Sequence, residues 1–148
     1  MTTDTPDALI EHARTAALRA YAPYSGFSVG CAVESEDGEI AVGSNMENAC
    51  YRLGICAEVA ALSAAKQAFG LAKVARIAVV GGRLAADGAL AGSAVVTSCG
   101  ACRQSIHEAA QVADRDVEVV FANGDGGEML AMRISQLLPL AFGPETLD

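Results

Sequence analysis

The first part of the chain follows a helical period. Thr5-Pro6-Asp7 has the pattern of a helix start, with an N-cap residue, a proline at the first helical position and an acid in the first turn. Pro23 disfavours any continuation of a helix beyond Ala22. We therefore predict an N-terminal helix to about Ala20, with its apolar face formed by Leu9, Ala13, Ala16 and Ala20.

Beyond Pro23 the apolar residues alternate with smaller or polar ones, which is the period of a strand. The apolar positions of this stretch are Phe27, Val29, Cys31 and Val33. Glu36-Asp37-Gly38 is typical of a hairpin turn, and a second apolar stretch around Ile40 and Val42 follows it. The pattern predicts two antiparallel strands, the first of them half-buried, and then a polar loop over 45–49.

The remaining two thirds of the chain predict helices and strands in alternation. The expected elements are a helix from Cys56 to about Phe69 closed by Gly70, a strand at 77–80 buried on both faces, a loop over 81–93, a short strand at 95–97, a helix over 100–110, strands over 117–121 and 128–132, and a short helix at 134–138. This order predicts a single α/β domain over 1–148, built as three α/β/α layers around a mixed sheet of about five strands.

Composition and charge limit the kinds of partner that we expect this protein to bind. The 148 residues are 52% hydrophobic, which is enough for one substantial core. A formal charge of −8 lacks the basic field that nucleic-acid binding requires. The uncharged run over 89–102 is too short to span a bilayer, so we expect no membrane partner.

Five cysteines, an odd number, argue against a disulfide framework. The first seven residues carry acids and no basic n-region, so we expect no secretory leader. Both observations favour a cytoplasmic, reducing location.

Two short motifs carry the candidate chemistry. Cys56-Ala57-Glu58 and Cys99-Gly100-Ala101-Cys102 each stand at the start of a predicted helix. Their three thiols make a zinc ligand set with one coordination position open, which is typical of a catalytic rather than a structural zinc site. Glu58 would then be the base that acts on water. Cys99 and Cys102 lie three residues apart and can share one helix face, whereas Cys56 and Glu58 serve one site only if Cys56 lies in the irregular first turn.

Each motif has simpler interpretations. Cys99 and Cys102 could form a redox disulfide pair, and the three thiols could belong to a zinc-binding module without catalysis. The remaining cysteines, Cys31 and Cys50, lack ligand spacing, so we expect buried, inert thiols. His107 lies five residues after Cys102, and we expect it to be an ordinary surface residue.

Taken together, the motifs resemble a known family. A C-x-E motif followed about forty residues later by Cys99 to Gln104, C-G-A-C-R-Q, is similar to the cytidine deaminase superfamily, in the variant whose first ligand is cysteine. The segments 20–30, 45–51, 55–58, 99–104 and 137–144 are similar, in order and spacing, to the small homotetrameric zinc-dependent cytidine deaminases.

The resemblance implies one zinc ion per chain and hydrolytic deamination of free cytidine or 2′-deoxycytidine to the uridine nucleoside and ammonia, as in pyrimidine salvage. The resemblance implies that Cys56, Cys99 and Cys102 bind zinc and that Glu58 transfers protons. It implies that Asn45 and Glu47 bind the ribose, that Phe27 packs on the nucleoside and that the backbone of Ala57 contacts the base. Phe142 would reach toward the site of a neighbouring subunit. The Glu47 carboxylate would repel a phosphate, which favours nucleosides over nucleotides. A deaminase of another aminopyrimidine nucleoside, such as blasticidin S, is the alternative.

Two residues depart from the family pattern. Ser98 stands where the usual motif has proline, and Val59 stands where many relatives have an arginine that hydrogen-bonds the ligand sulfurs. Without that arginine the negative charge of three thiolates is less offset. Arg52 or Arg103 could take its place.

Overall fold

The computed structural model describes residues 6–148, and Thr5 of the predicted N-cap lies outside the described residues. The helices are α1 (Pro6–Ala17), α2 (Ala57–Ala68), α3 (Gly100–Val112) and α4 (Ile134–Leu137). The strands are β1 (Ser28–Ser35), β2 (Ile40–Ser44), β3 (Val74–Leu84), β4 (Leu90–Ala91), β5 (Glu118–Asn123) and β6 (Met129–Arg133). Among the described helices, none is both long and apolar enough to cross a lipid bilayer.

The strands form one mixed sheet in the order β2-β1-β3-β5-β6, with β4 paired to the far end of β3. β3 and β5 run parallel, and the other pairs are antiparallel, including the predicted β1–β2 hairpin. The sheet therefore has six strands where the sequence predicts about five, because the short β4 was not expected.

Helices cover both faces of the sheet. On one face α1 packs against the strands through a cluster that includes Leu9, Ala13, Ala78, Val80 and Val120. On the other face α2, α3 and α4 share a larger cluster, which includes Leu62, Ile106, Leu137, Val79 and Phe121. This arrangement confirms the predicted α/β/α layers.

The structure corrects the predictions for three segments. β1 is buried along nearly its whole length rather than half-buried, because helices cover both of its faces. α1 ends at Ala17, three residues before the predicted end. The predicted strand at 95–97 is a single bridge between Val95 and Asn123.

The segment over 81–93, predicted as a loop, contains the end of β3 and the whole of β4. Arg83 pairs with Ala91 and Leu84 with Leu90. A Cβ atom on Gly82 would lie 2.3 Å from the carbonyl oxygen of Ala91, so the two backbones approach too closely for any other residue. Gly82, one of the glycines that indicate a loop, is thus required by close strand packing.

Candidate active site

The three cysteines of the two motifs meet at one place. The sulfur atoms of Cys56, Cys99 and Cys102 all lie within 4.8 Å of one another, and those of Cys56 and Cys99 are 3.9 Å apart. Cys56 and Cys99 are exposed, whereas Cys102 is buried. The sequence prediction that two separate segments bring three thiols together is therefore confirmed.

The backbone explains how Cys56 and Glu58 reach the same place. Cys56 is the N-cap of α2, with φ −72° and ψ 153°, so its side chain leaves an extended residue and not a helical one. Glu58 lies in the first turn of α2 and is buried, with 4% of its surface exposed. The condition stated from the sequence, that Cys56 must precede the regular helix, is met.

Cys99 has the same position on α3, because it is the N-cap residue with φ −68° and ψ 169°. Both helix N-termini therefore point at the sulfur cluster. Unpaired N–H groups at these ends favour negative charge on the ligands. They offset part of the charge that three thiolates bring.

The donor set fits zinc. With zinc–sulfur distances of about 2.3 Å and tetrahedral angles, neighbouring sulfurs lie about 3.8 Å apart. The 3.9 Å distance between the Cys56 and Cys99 sulfurs matches that value. Thiolate is a ligand that zinc prefers in proteins. These three residues form a possible zinc site, with Cys56 and Cys99 facing a cavity.

The three thiols differ in pKa because they differ in burial and in hydrogen bonding. Burial raises the pKa of Cys102 most, with a further rise from the Glu58 carboxylate, and it also raises the pKa of Cys56. For Cys99, burial acts in the same direction, but the backbone N–H of Cys102, the two neighbouring thiols and the backbone N–H of Ala101 outweigh it and lower the pKa. Cys99 is therefore the thiol that loses its proton most readily.

The cavity beside the sulfurs has a volume of about 590 Å³. Its walls include Asn45, Glu47, Ala57 and Glu58 of the predicted site, together with Cys56 and Cys99. A space of this size lies within the usual range for small-molecule sites, about 300–1,000 Å³. One buried carboxylate, exposed thiols and polar groups thus face the same open cavity.

Asn45 and Glu47 bind the start of β1 and the residues just before it. The Asn45 side chain accepts a hydrogen bond from the Val29 N–H at 2.8 Å and donates one to the Phe27 carbonyl at 2.9 Å. One oxygen of Glu47 accepts from the N–H groups of Tyr24 and Ser25 at 2.9 and 3.1 Å. Hydrogen bonding to Ser25 and to the Tyr24 N–H lowers the pKa of Glu47, so its carboxylate is held ionised.

The two aromatic residues of the predicted site lie outside the cavity wall. Phe27 is half-buried, and the guanidinium of Arg83 lies 6.0 Å from its ring centre. Phe142 is 57% exposed, and its carbonyl accepts a hydrogen bond from the Gln104 side chain at 2.8 Å. Neither ring is therefore part of the cavity wall in the single chain.

Neither candidate arginine reaches the sulfurs. Arg103 donates to the carbonyls of Ser98 and Leu137 at 3.0 and 3.1 Å. Arg52 lies exposed in a 3₁₀ turn, and within residues 6–148 no hydrogen bond joins it to a ligand sulfur. Val59 is 38% exposed. Neither Arg52 nor Arg103 therefore replaces the missing arginine. The helix N-termini offset the negative charge of the thiolates instead.

Three other expectations need correction or addition. Cys50 is exposed rather than buried, while Cys31 is buried as expected. His107 is not an ordinary surface residue, because its Nε2 atom is buried and has no hydrogen-bond partner among the described residues. The hydroxyl of Ser98 is likewise buried without a partner.

Several cavity residues were not assigned a role from the sequence. Tyr24 and Tyr51 line the mouth, with ring centres 5.5 Å apart, and Val96 and Thr97 line the wall that precedes Cys99. Tyr24 and Tyr51 lie in the segments that resemble the family, and that resemblance is the signal that could have identified them. Val96 has no local pattern that marks it as a cavity residue.

Comparisons with known proteins agree with this geometry. The family model for the cytidine and deoxycytidylate deaminase zinc-binding region matches residues 3–120. A cytidine deaminase of Halalkalibacterium halodurans is 39% identical over 140 residues, covering 95% of this chain and 96% of that protein. A cytidine deaminase of Mycobacterium tuberculosis is 35% identical over 143 residues, covering 92% and 88%.

The fold is similar to that of solved structures. The crystal structure of a cytidine deaminase from Burkholderia pseudomallei superposes with a TM-score of 0.80 at 40% identity, covering 94% of this chain and all of that one. Because the matched model spans most of the chain and its zinc-binding region contains the three cysteines that meet here, this chain belongs to the cytidine and deoxycytidylate deaminase family.

Proposed function

We propose that this protein is a zinc-dependent cytidine deaminase, which hydrolyses free cytidine or 2′-deoxycytidine to the uridine nucleoside and ammonia. The observation that carries the proposal is the convergence of three thiols and a buried glutamate on one cavity. The identity of 35–39% to proteins named cytidine deaminase, over more than nine tenths of the chain, supports the substrate.

The roles of the side chains follow from their positions. Cys56, Cys99 and Cys102 hold the zinc ion, which when bound supplies a Lewis acid that makes water a stronger acid. Glu58 lies within the cavity wall, where its carboxylate would accept a proton from water and pass it to the ring nitrogen, and would then move the proton of the added hydroxyl to the departing amine. Burial of Glu58 excludes bulk solvent from this exchange.

Asn45, Glu47 and Ala57 bind the nucleoside. Oε1 of Glu47 accepts from the Tyr24 and Ser25 N–H groups, and a carboxylate has further lone pairs with which it can accept from a sugar hydroxyl. Asn45 fixes the backbone around Val29, which lines the same cavity. The ionised Glu47 disfavours a phosphate, so the nucleoside is the preferred form over the nucleotide.

The active assembly that we propose is a homotetramer in which Phe142 and Phe27 complete the site. Large apolar side chains around the cavity mouth are exposed in the single chain, among them Tyr51 at 78% and Leu53 at 59%, and Phe142 is exposed as well. Such exposure is typical of surfaces that another chain covers. The five free cysteines suit a reducing, cytoplasmic compartment and a role in pyrimidine salvage.

A substrate panel tests the proposed function. The zinc-loaded protein is incubated with cytidine, 2′-deoxycytidine, blasticidin S and cytidine monophosphate, and both the deaminated product and ammonia are measured. We expect product from the two free nucleosides and little from the monophosphate. A protein that binds about one zinc per chain yet releases no ammonia from any of them would be a zinc-binding module instead.

A further inference from the structure

Gly81 and Val96 are in contact behind one wall of the cavity. A Cβ atom on Gly81 would lie 3.0 and 3.1 Å from the two methyl carbons of Val96. Carbon atoms in ordinary contact are about 3.5–4.0 Å apart. Val96 itself lines the cavity, so it occupies the space between Gly81 and the site.

The backbone conformation of Gly81 does not explain its identity. Gly81 lies inside β3, paired with Val29 of β1 on one side and with Asn123 of β5 on the other. Its φ angle is not positive, unlike those of the turn glycines Gly38 and Gly88. Any residue can adopt this extended conformation, so it is the space taken by Val96 that disfavours a larger residue here.

The segment that carries Val96 is held on both sides. The Asn123 side chain donates to the Ser93 carbonyl at 3.3 Å, and Val95 forms a β-bridge with Asn123. After Val96, the Ser98 carbonyl accepts from Arg103 at 3.0 Å. The backbone therefore resists moving away from the sheet, and a side chain added at Gly81 would displace the Val96 methyl groups toward the open cavity.

We propose that Gly81 is a positioning residue for substrate binding, since its missing side chain keeps Val96 out of the nucleoside cavity and so sets the depth of that cavity. This inference rests on the proposed function in taking the occupant to be a nucleoside. Val29, the register partner of Gly81, lines the same cavity. Val29 and Val96 thus give an apolar surface suited to one side of a flat pyrimidine ring.

Paired substitutions test this role. Gly81→Ala raises KM for cytidine about tenfold and lowers kcat less, because a displaced methyl group takes space that the substrate needs. In Gly81→Ala/Val96→Ala the cavity has room again, and KM returns to within about twofold of Val96→Ala alone. The matched control is Gly81→Ala/Val95→Ala, which removes the same atoms from a side chain packed on the core cluster. This control stays impaired.

The outcomes separate the inference from the proposed function. If KM of Gly81→Ala stays within about twofold of the unsubstituted protein, or if both double variants recover equally, the positioning role is wrong. A crystal structure of Gly81→Ala decides the packing without any turnover: we expect the Val96 methyl groups to move by a few tenths of an ångström toward the cavity. An unmoved Val96 overturns the inference even if cytidine is a substrate.

Two further outcomes bear on the inference: an inactive unsubstituted protein and an insoluble Gly81→Ala variant. Failure of the unsubstituted protein to deaminate cytidine counts only against the proposed function, because the crystal structure still decides the Gly81–Val96 packing. If Gly81→Ala is insoluble, the inference expects the Val96→Ala double variant to restore soluble, zinc-containing protein. Restoration by the Val95→Ala double variant instead would contradict it.

Discussion

The sulfur atoms of Cys56 and Cys99 lie 3.9 Å apart, although 43 positions separate the two residues in the sequence. Each residue is the N-cap of a different helix, and both helices pack on the same face of the sheet. The distance is that of two ligands around one zinc ion. Metal binding is thus a property of how α2 and α3 are placed on the sheet.

Removal of a single ligand should release the metal. We expect Cys102→Ser to contain far less zinc than the unsubstituted protein, which should hold about one ion per chain. The measurement is metal analysis after exhaustive dialysis. The matched control is Cys50→Ser, an exposed cysteine outside the sulfur cluster, which should keep its zinc. Zinc retained by Cys102→Ser would contradict the assigned ligand set.

Alkylation should distinguish the ligand thiols from the core thiol. In the metal-free protein we expect iodoacetamide to modify Cys56 and Cys99, which are exposed, and zinc to protect them. Cys31 should resist in both states, because it is fully buried and because burial, together with the Glu58 carboxylate, raises its pKa. Mass spectrometry of peptides identifies the sites. Modification of Cys31 under native conditions would show that β1 is not covered on both faces.

Asn45 should contribute to stability as well as to binding. Asn45→Ala leaves the Phe27 carbonyl and the Val29 N–H without their partner, so we expect the free energy of unfolding to fall by about 1–3 kcal/mol. Asn45→Asp keeps the acceptor for Val29 but sets a carboxylate oxygen against the Phe27 carbonyl, so we expect it to lower the free energy of unfolding as well. Denaturant unfolding of the zinc-loaded proteins measures both. Equal stability of Asn45→Ala and the unsubstituted protein would exclude the anchoring role.

Loss of the ion pair between Glu34 and Arg76 should lower the free energy of unfolding more than loss of an exposed ion pair. Their 2.6 Å contact joins neighbouring strands, and the Glu34 side chain is only 2% exposed. Breaking a buried pair costs about 3–5 kcal/mol, so Glu34→Gln should lower the free energy of unfolding strongly. Asp37→Asn, which breaks the exposed pair with Lys73, should change the free energy of unfolding little, because solvent screens this pair. Similar losses in the two variants would contradict this difference.

Strong periodicity made much of the fold predictable. α2 and α3 were predicted to within two residues at each end, since alanine-rich helical patterns begin at the two cysteine motifs. The β1–β2 hairpin followed from Glu36-Asp37-Gly38. β4 was missed because the glycines that permit its close approach to β3 are the same residues that indicate a loop.

The site was only partly predictable, because its remaining members depend on tertiary contacts. The three thiols and Glu58 have a recognisable spacing, but the extended backbone of Cys56 that lets it share a site with Glu58 is visible only in the structure. Arg103 could not be assigned from its position beside a ligand, since its partners are the carbonyls of Ser98 and Leu137. Val96 lines the cavity and packs beside Gly81, which lies fifteen residues earlier in the sequence.

The central claim is that Glu58 moves the protons of a hydrolytic deamination at the three-thiol site. The direct measurement is the rate of ammonia release from cytidine by Glu58→Gln, compared with Glu39→Gln as an exposed control and with zinc content verified in both. We predict that Glu58→Gln keeps its zinc and loses at least about a hundredfold in kcat, while Glu39→Gln is unaffected. Full turnover by zinc-loaded Glu58→Gln would contradict the account.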